Sequence, residues 1–201
     1  RPIATSISPT GPLLEGFELF KANPLPFVAG VVATGVVSIL LQVIGAKLGP
    51  LALVTGGLSA VASAFIGANL MKMALNAHDR QPVSLADLTK VPPAFVNYLA
   101  TSFIVGIAIF VGSLLLVIPG LIAMVLLLPA LALVVDKGMD PVSALQRSVA
   151  MVKPHLMQVA LAMLVLGAAN FVGAIPLGLG LLVTGPVSLL AVACIYRSLD
   201  H

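Results

Sequence analysis

The stretch Ile175-Pro-Leu-Gly-Leu-Gly-Leu-Leu-Val-Thr-Gly-Pro186 separates two apolar runs with prolines and glycines and carries no charge. Such a break predicts a short turn between two membrane-spanning helices, with the last proline inside the second helix. Its Ile-Pro pair and that later proline recur upstream, where Ile118-Pro119 and Pro129 keep the same spacing. Leu53-Val-Thr-Gly-Gly57 repeats the pattern Leu182-Val-Thr-Gly-Pro186 in the first third of the chain. The sequence is therefore interpreted as three copies of one helical hairpin.

The composition is that of an integral membrane protein. Of the 201 residues, 60% are hydrophobic and 8% are charged, and the mean hydropathy is +1.16. A soluble domain has about 25% charged residues, so this chain has too few polar side chains to cover a surface that faces water. The basic residues are scattered and the aromatic content is low, which argues against a nucleic-acid partner. The chain begins at Arg1 rather than at methionine, which is expected for a chain that is either processed or incompletely covered.

The apolar runs predict an all-α, polytopic membrane bundle of six transmembrane helices, folded as a single domain over residues 1–201. A span needs about 20 apolar residues, and the segments 27–46 and 51–75 reach that length. The other predicted spans are 93–117, 121–135, 156–174 and 177–196. The six spans group into three repeated hairpins, in repeats at 12–75, 82–135 and 141–197.

Each hairpin is predicted to follow a short cytoplasmic amphipathic helix in the membrane interface. The first begins near Pro12 and has the apolar face Leu13, Leu14, Phe17 and Phe20. The second begins at Pro82, with Ser84 and Asp87 as a capping pair. The third begins at Pro141 behind the N-cap Asp140 and has the apolar face Val142, Leu145, Val149 and Val152.

The placement of basic residues predicts the orientation. With six spans, nine Lys and Arg residues lie on the side of the termini, and Lys47 lies on the other. By the positive-inside rule, both termini and the three short helices are expected on the cytoplasmic side of the membrane.

The sequence offers no candidate for catalysis, cofactor binding or metal binding. The middle of each span has no ionisable residue, which disfavours a proton- or sodium-driven carrier. Cys194 is the one cysteine, and His78, His155 and His201 are isolated in the sequence. Asp79, Asp87, Asp136 and Asp140 are expected to be solvated or to cap helices. We therefore predict that the protein is not an enzyme.

Neutral polar and small residues are the remaining candidates. Asn69, Asn97 and Asn170 are expected to hydrogen-bond between helices, with ligand contacts in a cavity as the alternative. Gly67 and Ser63 belong to ridges of small residues at fourfold spacing on the second span: Thr55/Ser59/Ser63/Gly67 and Gly56/Ala60/Ala64/Ala68. Pro129 and Pro186 are expected to kink their helices.

Several motifs in the last two thirds of the chain resemble a bacterial group of six-helix membrane proteins of mostly unknown function. They are Val135-Asp-Lys-Gly138, Ala144-Leu-Gln-Arg-Ser148, Val152-Lys153, Leu177–Pro186 and Tyr196-Arg197. That group is related to the membrane domain attached to some glycerophosphodiester phosphodiesterases. The resemblance implies the six-helix fold and a location in the bacterial inner membrane, with both termini in the cytoplasm. It implies no hydrolase activity, because the catalytic barrel of those enzymes is absent from this sequence. Val149 stands where the group commonly has an aromatic residue.

These observations predict a non-catalytic accessory or structural protein that packs against other membrane subunits or against itself, in contact with membrane lipids. The alternative is a lipid-handling or small-solute transport protein. The two hypotheses differ in whether Asn69, Asn97 and Asn170 converge on one cavity or lie at separate helix contacts.

Overall fold

The computed structural model describes residues 9–48, 52–115, 117–175 and 180–200. The turn at 176–179, the terminal residues Arg1 and His201, and the tip at 49–51 lie outside the described residues. All regular structure in the described part is helical, as predicted. The α-helices are α1 (Gly11–Ala22), α2 (Pro24–Leu48), α3 (Ala52–His78), α4 (Phe95–Leu115), α5 (Val117–Lys137), α6 (Pro141–Val152), α7 (Leu156–Ala174) and α8 (Leu181–Leu199). Short 3-10 helices lie at Leu85–Thr89 and Lys153–His155.

Six helical stretches of the described chain are long and apolar enough to cross a membrane. They are α2, α3, α4, α5, the continuous run from α6 through α7, and α8. The predicted all-α, multi-pass architecture is therefore confirmed at this level.

The segment that precedes α4 differs from the prediction of a helix starting at Pro82. Residues 81–84 are not helical, and a single 3-10 helix begins at Leu85. The predicted capping pair does form, because the Ser84 backbone N–H donates to Asp87 Oδ2 over 2.9 Å. The helix therefore begins directly after the capping residue Ser84 and not at Pro82. The preference of proline for a first helical position is only statistical.

In the two short helices, the side that packs on the bundle coincides only in part with the predicted apolar face, whose contact with the membrane interface stays a prediction. In α1 the buried residues are Pro12, Gly16 and Phe20, while Leu14 is 63% exposed. A Cβ at Gly16 would lie 2.9 Å from the Ala191 backbone nitrogen, so the absence of a side chain allows α1 to lie directly on α8. In α6, the third of the short helices, the predicted cap is confirmed, since Asp140 Oδ1 accepts a hydrogen bond from the Ser143 N–H at 3.0 Å.

The buried stripe of α6 is Ala144, Ser148 and Val152, whereas Val142 is exposed. The Ser148 hydroxyl donates to the Leu126 carbonyl over 2.6 Å. A polar residue thus lies on the packed face because α5 offers it a hydrogen-bond acceptor, which an apolar pattern does not reveal.

Packing is concentrated in the half of the bundle that contains the described ends of the chain, here called the termini half. The fully buried side chains come mainly from the last half of α3, the ends of α5 and α8, and the start of α7. In the apolar part of α8, 50% of the residues are buried, compared with 11% in the apolar part of α2. α8 is therefore the central helix, and the opposite or tip half of each hairpin exposes large apolar side chains, among them Ile39, Leu53, Phe110, Leu114 and Phe171.

Glycines allow the two helices of a hairpin to approach closely near the tips. In the α4–α5 hairpin, a Cβ at Gly112 would lie 3.0 Å from the Gly120 Cα. In the α7–α8 hairpin, a Cβ at Gly173 would lie 3.2 Å from the Gly180 carbonyl carbon. A methyl group at either site would be unusually close to backbone atoms of the facing helix, so the two helices would have to move slightly apart.

Candidate functional site

Arg197, near the end of α8, is the centre of an ion-pair network in the termini half. Its Nη1 donates to Asp136 Oδ2 over 2.7 Å, and its Nη2 donates to Asp136 Oδ1 over 3.1 Å. The same guanidinium contacts Asp79, with 3.1 Å between Nε and Oδ1. Asp136 lies at the end of α5 and Asp79 directly follows α3, so one side chain joins the ends of three spans. Bidentate pairing of this kind fixes orientation as well as distance.

Tyr196 and Asp200 extend the network to α6. The Tyr196 side chain is fully buried, and its hydroxyl donates to Asp136 Oδ2 over 2.6 Å. Asp200 accepts hydrogen bonds from Lys137 Nζ at 2.6 Å and from Arg147 Nη2 at 3.1 Å. Burial raises the pKa of Asp200, but the two cations outweigh it, so the pKa of this carboxyl lies below its usual value. The network therefore joins α3, α5, α6 and α8.

Asp79 is exposed, with 40% of its side chain accessible, as expected for a solvated carboxylate, whereas the Asp136 side chain is only 20% exposed. Each accepts hydrogen bonds from Arg197, whose side chain is 19% exposed. The signal in the sequence was that three apolar helices end with a charged residue at the same face, Asp79, Asp136 and Arg197. The positive-inside rule depends on which side of the membrane the Lys and Arg residues lie. It carries no information on which of them form ion pairs. Because its charged groups are already paired with one another, the network is suited to holding helices together.

The three asparagines do not converge. Asn69 Nδ2 donates to the Leu88 carbonyl at 2.9 Å, and Asn97 Nδ2 donates to the Met139 carbonyl at 3.3 Å. Asn170 Nδ2 donates to Ser188 Oγ at 2.7 Å. Each contact joins a different pair of segments. Asn69 also borders a polar cavity of about 160 Å³ beside Lys72 and Asp87, which neither of the other two asparagines lines.

The small residues of α3 divide between internal and open surfaces. Ser63 Oγ lies 3.4 Å from Ser38 Oγ on α2, and Gly67 faces the Tyr98 hydroxyl on α4. Ala64 and Ala68, on the other ridge, are buried. Gly56 and Ala60, earlier on that second ridge, are exposed. A Cβ at Gly56 would meet no atom within 4 Å.

Pro129 and Pro186 both lie within helices and are both buried. Leu126, whose carbonyl accepts the hydrogen bond from the Ser148 hydroxyl, lies in the helical turn before Pro129. Pro129 has no backbone N–H and so cannot donate a hydrogen bond to a carbonyl in that turn. Ser148 thus supplies a donor close to the interruption.

Two apolar grooves lie between neighbouring helices. One, of about 750 Å³, runs between α5 and α7 and is lined by Met124, Met157, Gly167 and Phe171 among others. The other, of about 330 Å³, lies between α3 and α4 and is lined by Ala60, Phe103, Gly106 and Phe110 among others. A Cβ at Gly106 or Gly167 would also meet nothing within 4 Å.

One mixed cluster could hold a metal ion. Glu15 on α1, His78 at the end of α3 and Cys194 on α8 bring potential ligand atoms within 4.8 Å of one another. The sequence gave no indication of this cluster, because the three residues lie far apart along the chain.

Together, the six apolar helices and the paired charges at their ends define an all-helical multi-pass membrane protein. Beyond that class, no family model, no curated protein and no solved structure matches this chain. The resemblance to the membrane domain of glycerophosphodiester phosphodiesterases stays a prediction.

Proposed function

We propose that this chain is a non-catalytic accessory or structural protein of the bacterial inner membrane, which packs against transmembrane helices of other subunits or of a second copy. Both termini and the ion-pair network would face the cytoplasm. The excess of basic residues at the termini half supports this orientation.

The observation that carries the proposal is the open small-residue surface at the start of α3. Gly56 and Ala60 lie one helical turn apart, and the adjacent groove continues to Gly106 on α4. Within a bilayer, helices associate through small residues that let backbones approach closely, because burial from water provides no driving force there. Equivalent residues deeper in the bundle, such as Ala64 and Ala68, are already covered by neighbouring helices. The exposed part of the same ridge is suited to a further helix.

The use of the polar residues supports packing over transport. The asparagines lie at separate helix contacts, so they line no common path through the bilayer.

We also propose that the bundle arose by repetition of one hairpin. The pairs Gly112/Gly120 and Gly173/Gly180 near the tips, and the buried Pro129 of α5 and Pro186 of α8, support that origin.

The test compares three glycine-to-leucine variants at open positions. A Cβ added at Gly56, Gly35 or Gly167 would meet no atom within 4 Å. A leucine side chain at these open positions is therefore expected to be tolerated by the fold. Gly56→Leu should abolish association of the purified chain with itself or with co-purifying subunits, measured by native mass spectrometry and by energy transfer in liposomes. Gly35→Leu, on α2, is the matched control and should associate normally. A wild-type protein that is monomeric and without partners at native abundance would contradict the proposal.

A lipid-handling function is the second candidate, and the groove between α5 and α7 favours it. Its volume of about 750 Å³ falls within the range of small-molecule sites, and its lining is almost entirely apolar. If it holds a lipid chain, Gly167→Leu should reduce the number of lipids retained after detergent extraction, whereas Gly56→Leu should not.

A further inference from the structure

Glu15, His78 and Cys194 meet where α1 crosses the ends of α3 and α8. His78 Nε2 lies 3.4 Å from Glu15 Oε1, and all three potential ligand atoms lie within 4.8 Å of one another. Ligand atoms around a tetrahedral zinc ion, with bonds of about 2.0–2.3 Å, are roughly 3.3–3.8 Å apart. The first distance already fits, and a shift of about 1 Å would bring all three within bonding distance, judged by those zinc bond lengths. Glu15, whose side chain is 54% exposed, has room for that movement.

We propose that these three residues bind a divalent transition metal ion of the zinc type, with a water molecule at a fourth position. A thiolate, an imidazole nitrogen and a carboxylate oxygen are together the ligand types that zinc accepts. On binding, the Cys194 thiol gives its proton to solvent and a metal–sulfur bond forms. No change of oxidation state is involved.

The neighbours of His78 support its role as a ligand. His78 Nδ1 lies 3.3 Å from Asp79 Oδ1, and Asp79 is in turn held by Arg197. A carboxylate that accepts the Nδ1 hydrogen leaves the lone pair of Nε2 available, which is the usual arrangement behind metal-binding histidines. Nε2 is also the nitrogen that faces Glu15.

The cluster is accessible at two of its three residues. Glu15 and His78 are partly exposed, at 54% and 26% of their side chains, whereas Cys194 is buried beneath them. Gly16 holds α1 against α8 through direct backbone contact. An ion bound here would therefore connect α1 to two spans of the core, beside the ion-pair network.

The experiment is metal titration of the full chain, purified in detergent without a polyhistidine tag and treated with a chelator. Zn²⁺ is followed by competition with a chromogenic chelator, and Co²⁺ by its visible spectrum, which carries a thiolate-to-metal charge-transfer band. We expect one equivalent of metal per chain. Cys194→Ala, His78→Gln and Glu15→Gln should each weaken binding by about tenfold or more, and Cys194→Ala should abolish the charge-transfer band.

Two substitutions serve as matched controls. Glu18→Gln changes the next carboxylate of α1, which pairs with Lys21 instead, and His155→Gln changes a histidine beside Gln158. Neither should alter metal binding.

A second measurement needs no variant, since Cys194 is the only cysteine in the sequence. Zn²⁺ should slow alkylation of the wild-type thiol, and Mg²⁺ should not. Binding well below one equivalent, or unchanged alkylation with Zn²⁺, would overturn the proposal. In that case Glu15 and His78 make only a side-chain contact with each other.

Discussion

Replacing Arg197 by methionine tests whether the network holds the termini half together. The substitution keeps the apolar part of the side chain and removes the charge that joins α3, α5 and α8. Asp136 would keep the hydrogen bond from Tyr196, and Asp79 would keep its contact with His78. The expected loss of folding stability is therefore smaller than it would be if either carboxylate were left with no partner.

The magnitude follows from exposure. Breaking a fully buried pair costs about 3–5 kcal/mol, and an exposed pair contributes about 0–1 kcal/mol. The side chains of Arg197 and Asp136 are 19% and 20% exposed, and that of Asp79 is 40% exposed. We expect Arg197→Met to destabilise by about 2 kcal/mol, an intermediate value. In double-mutant cycles, the coupling of Arg197 to Asp136 should exceed its coupling to Asp79.

The buried thiol of Cys194 provides the assay. Its alkylation rate, measured with a chelator present, reports the population of opened molecules when closing is faster than labelling. A loss of 2 kcal/mol corresponds to roughly thirtyfold faster alkylation, since about 1.4 kcal/mol is a factor of ten.

Lys90→Met is the matched control. It removes a cation whose side chain is 70% exposed and which pairs with Asp87. Its effect should stay within about fivefold, which corresponds to the upper value of about 1 kcal/mol for exposed pairs. If Arg197→Met labels no faster than this control, or if the coupling to Asp79 is the larger one, the network does not hold the helices as argued.

Three further results are expected. Gly112→Leu should lower the stability by about 1–3 kcal/mol, because it forces α4 and α5 apart, whereas Gly106→Leu on the same helix should leave the melting temperature unchanged; equal effects would refute the packing argument. Asn170→Leu should cost about 1 kcal/mol, and this loss should be smaller in a Ser188→Ala background, as measured by thermal unfolding. Since the folded-state pKa of Asp200 is lowered, its contribution is complete above its unfolded pKa of about 4 and is lost as pH falls below that value; Asp200→Asn should flatten acid unfolding curves in that range, and an unchanged curve would contradict the assigned shift.

The spans and the helix caps could be predicted from the sequence because they depend on local properties. Apolar length specifies a span, and Asp140 and Asp87 cap helices through contacts three residues away. The packed faces of the short helices could not be predicted in the same way. Gly16 is buried because α8 approaches it, and Ser148 is buried because Leu126 offers it an acceptor. Those partners are distant in sequence, and no apolar period encodes them.

The Arg197 ion-pair network and the cluster of Glu15, His78 and Cys194, here called the metal-ligand cluster, could not be predicted for the same reason: their members are distant in sequence. Asp79, Asp136 and Arg197 each looked like one more charge at a helix end, and His78 and Cys194 looked isolated. Only the order in which helices pack determines that they meet. Residues that act across elements need a three-dimensional arrangement before their chemistry can be inferred.

The separation between the two halves of the bundle makes function testable apart from folding. Ion pairs, buried apolar side chains and the metal-ligand cluster are concentrated in the termini half, so substitutions there alter stability together with any activity. A Cβ added at Gly56, Gly106 or Gly167 would meet no atom within 4 Å. A side chain added there costs little in folding, so a loss of association or of retained lipid at these positions reports the function of that surface. Effects that appear only when Arg197 or Gly112 is changed would instead report the integrity of the bundle.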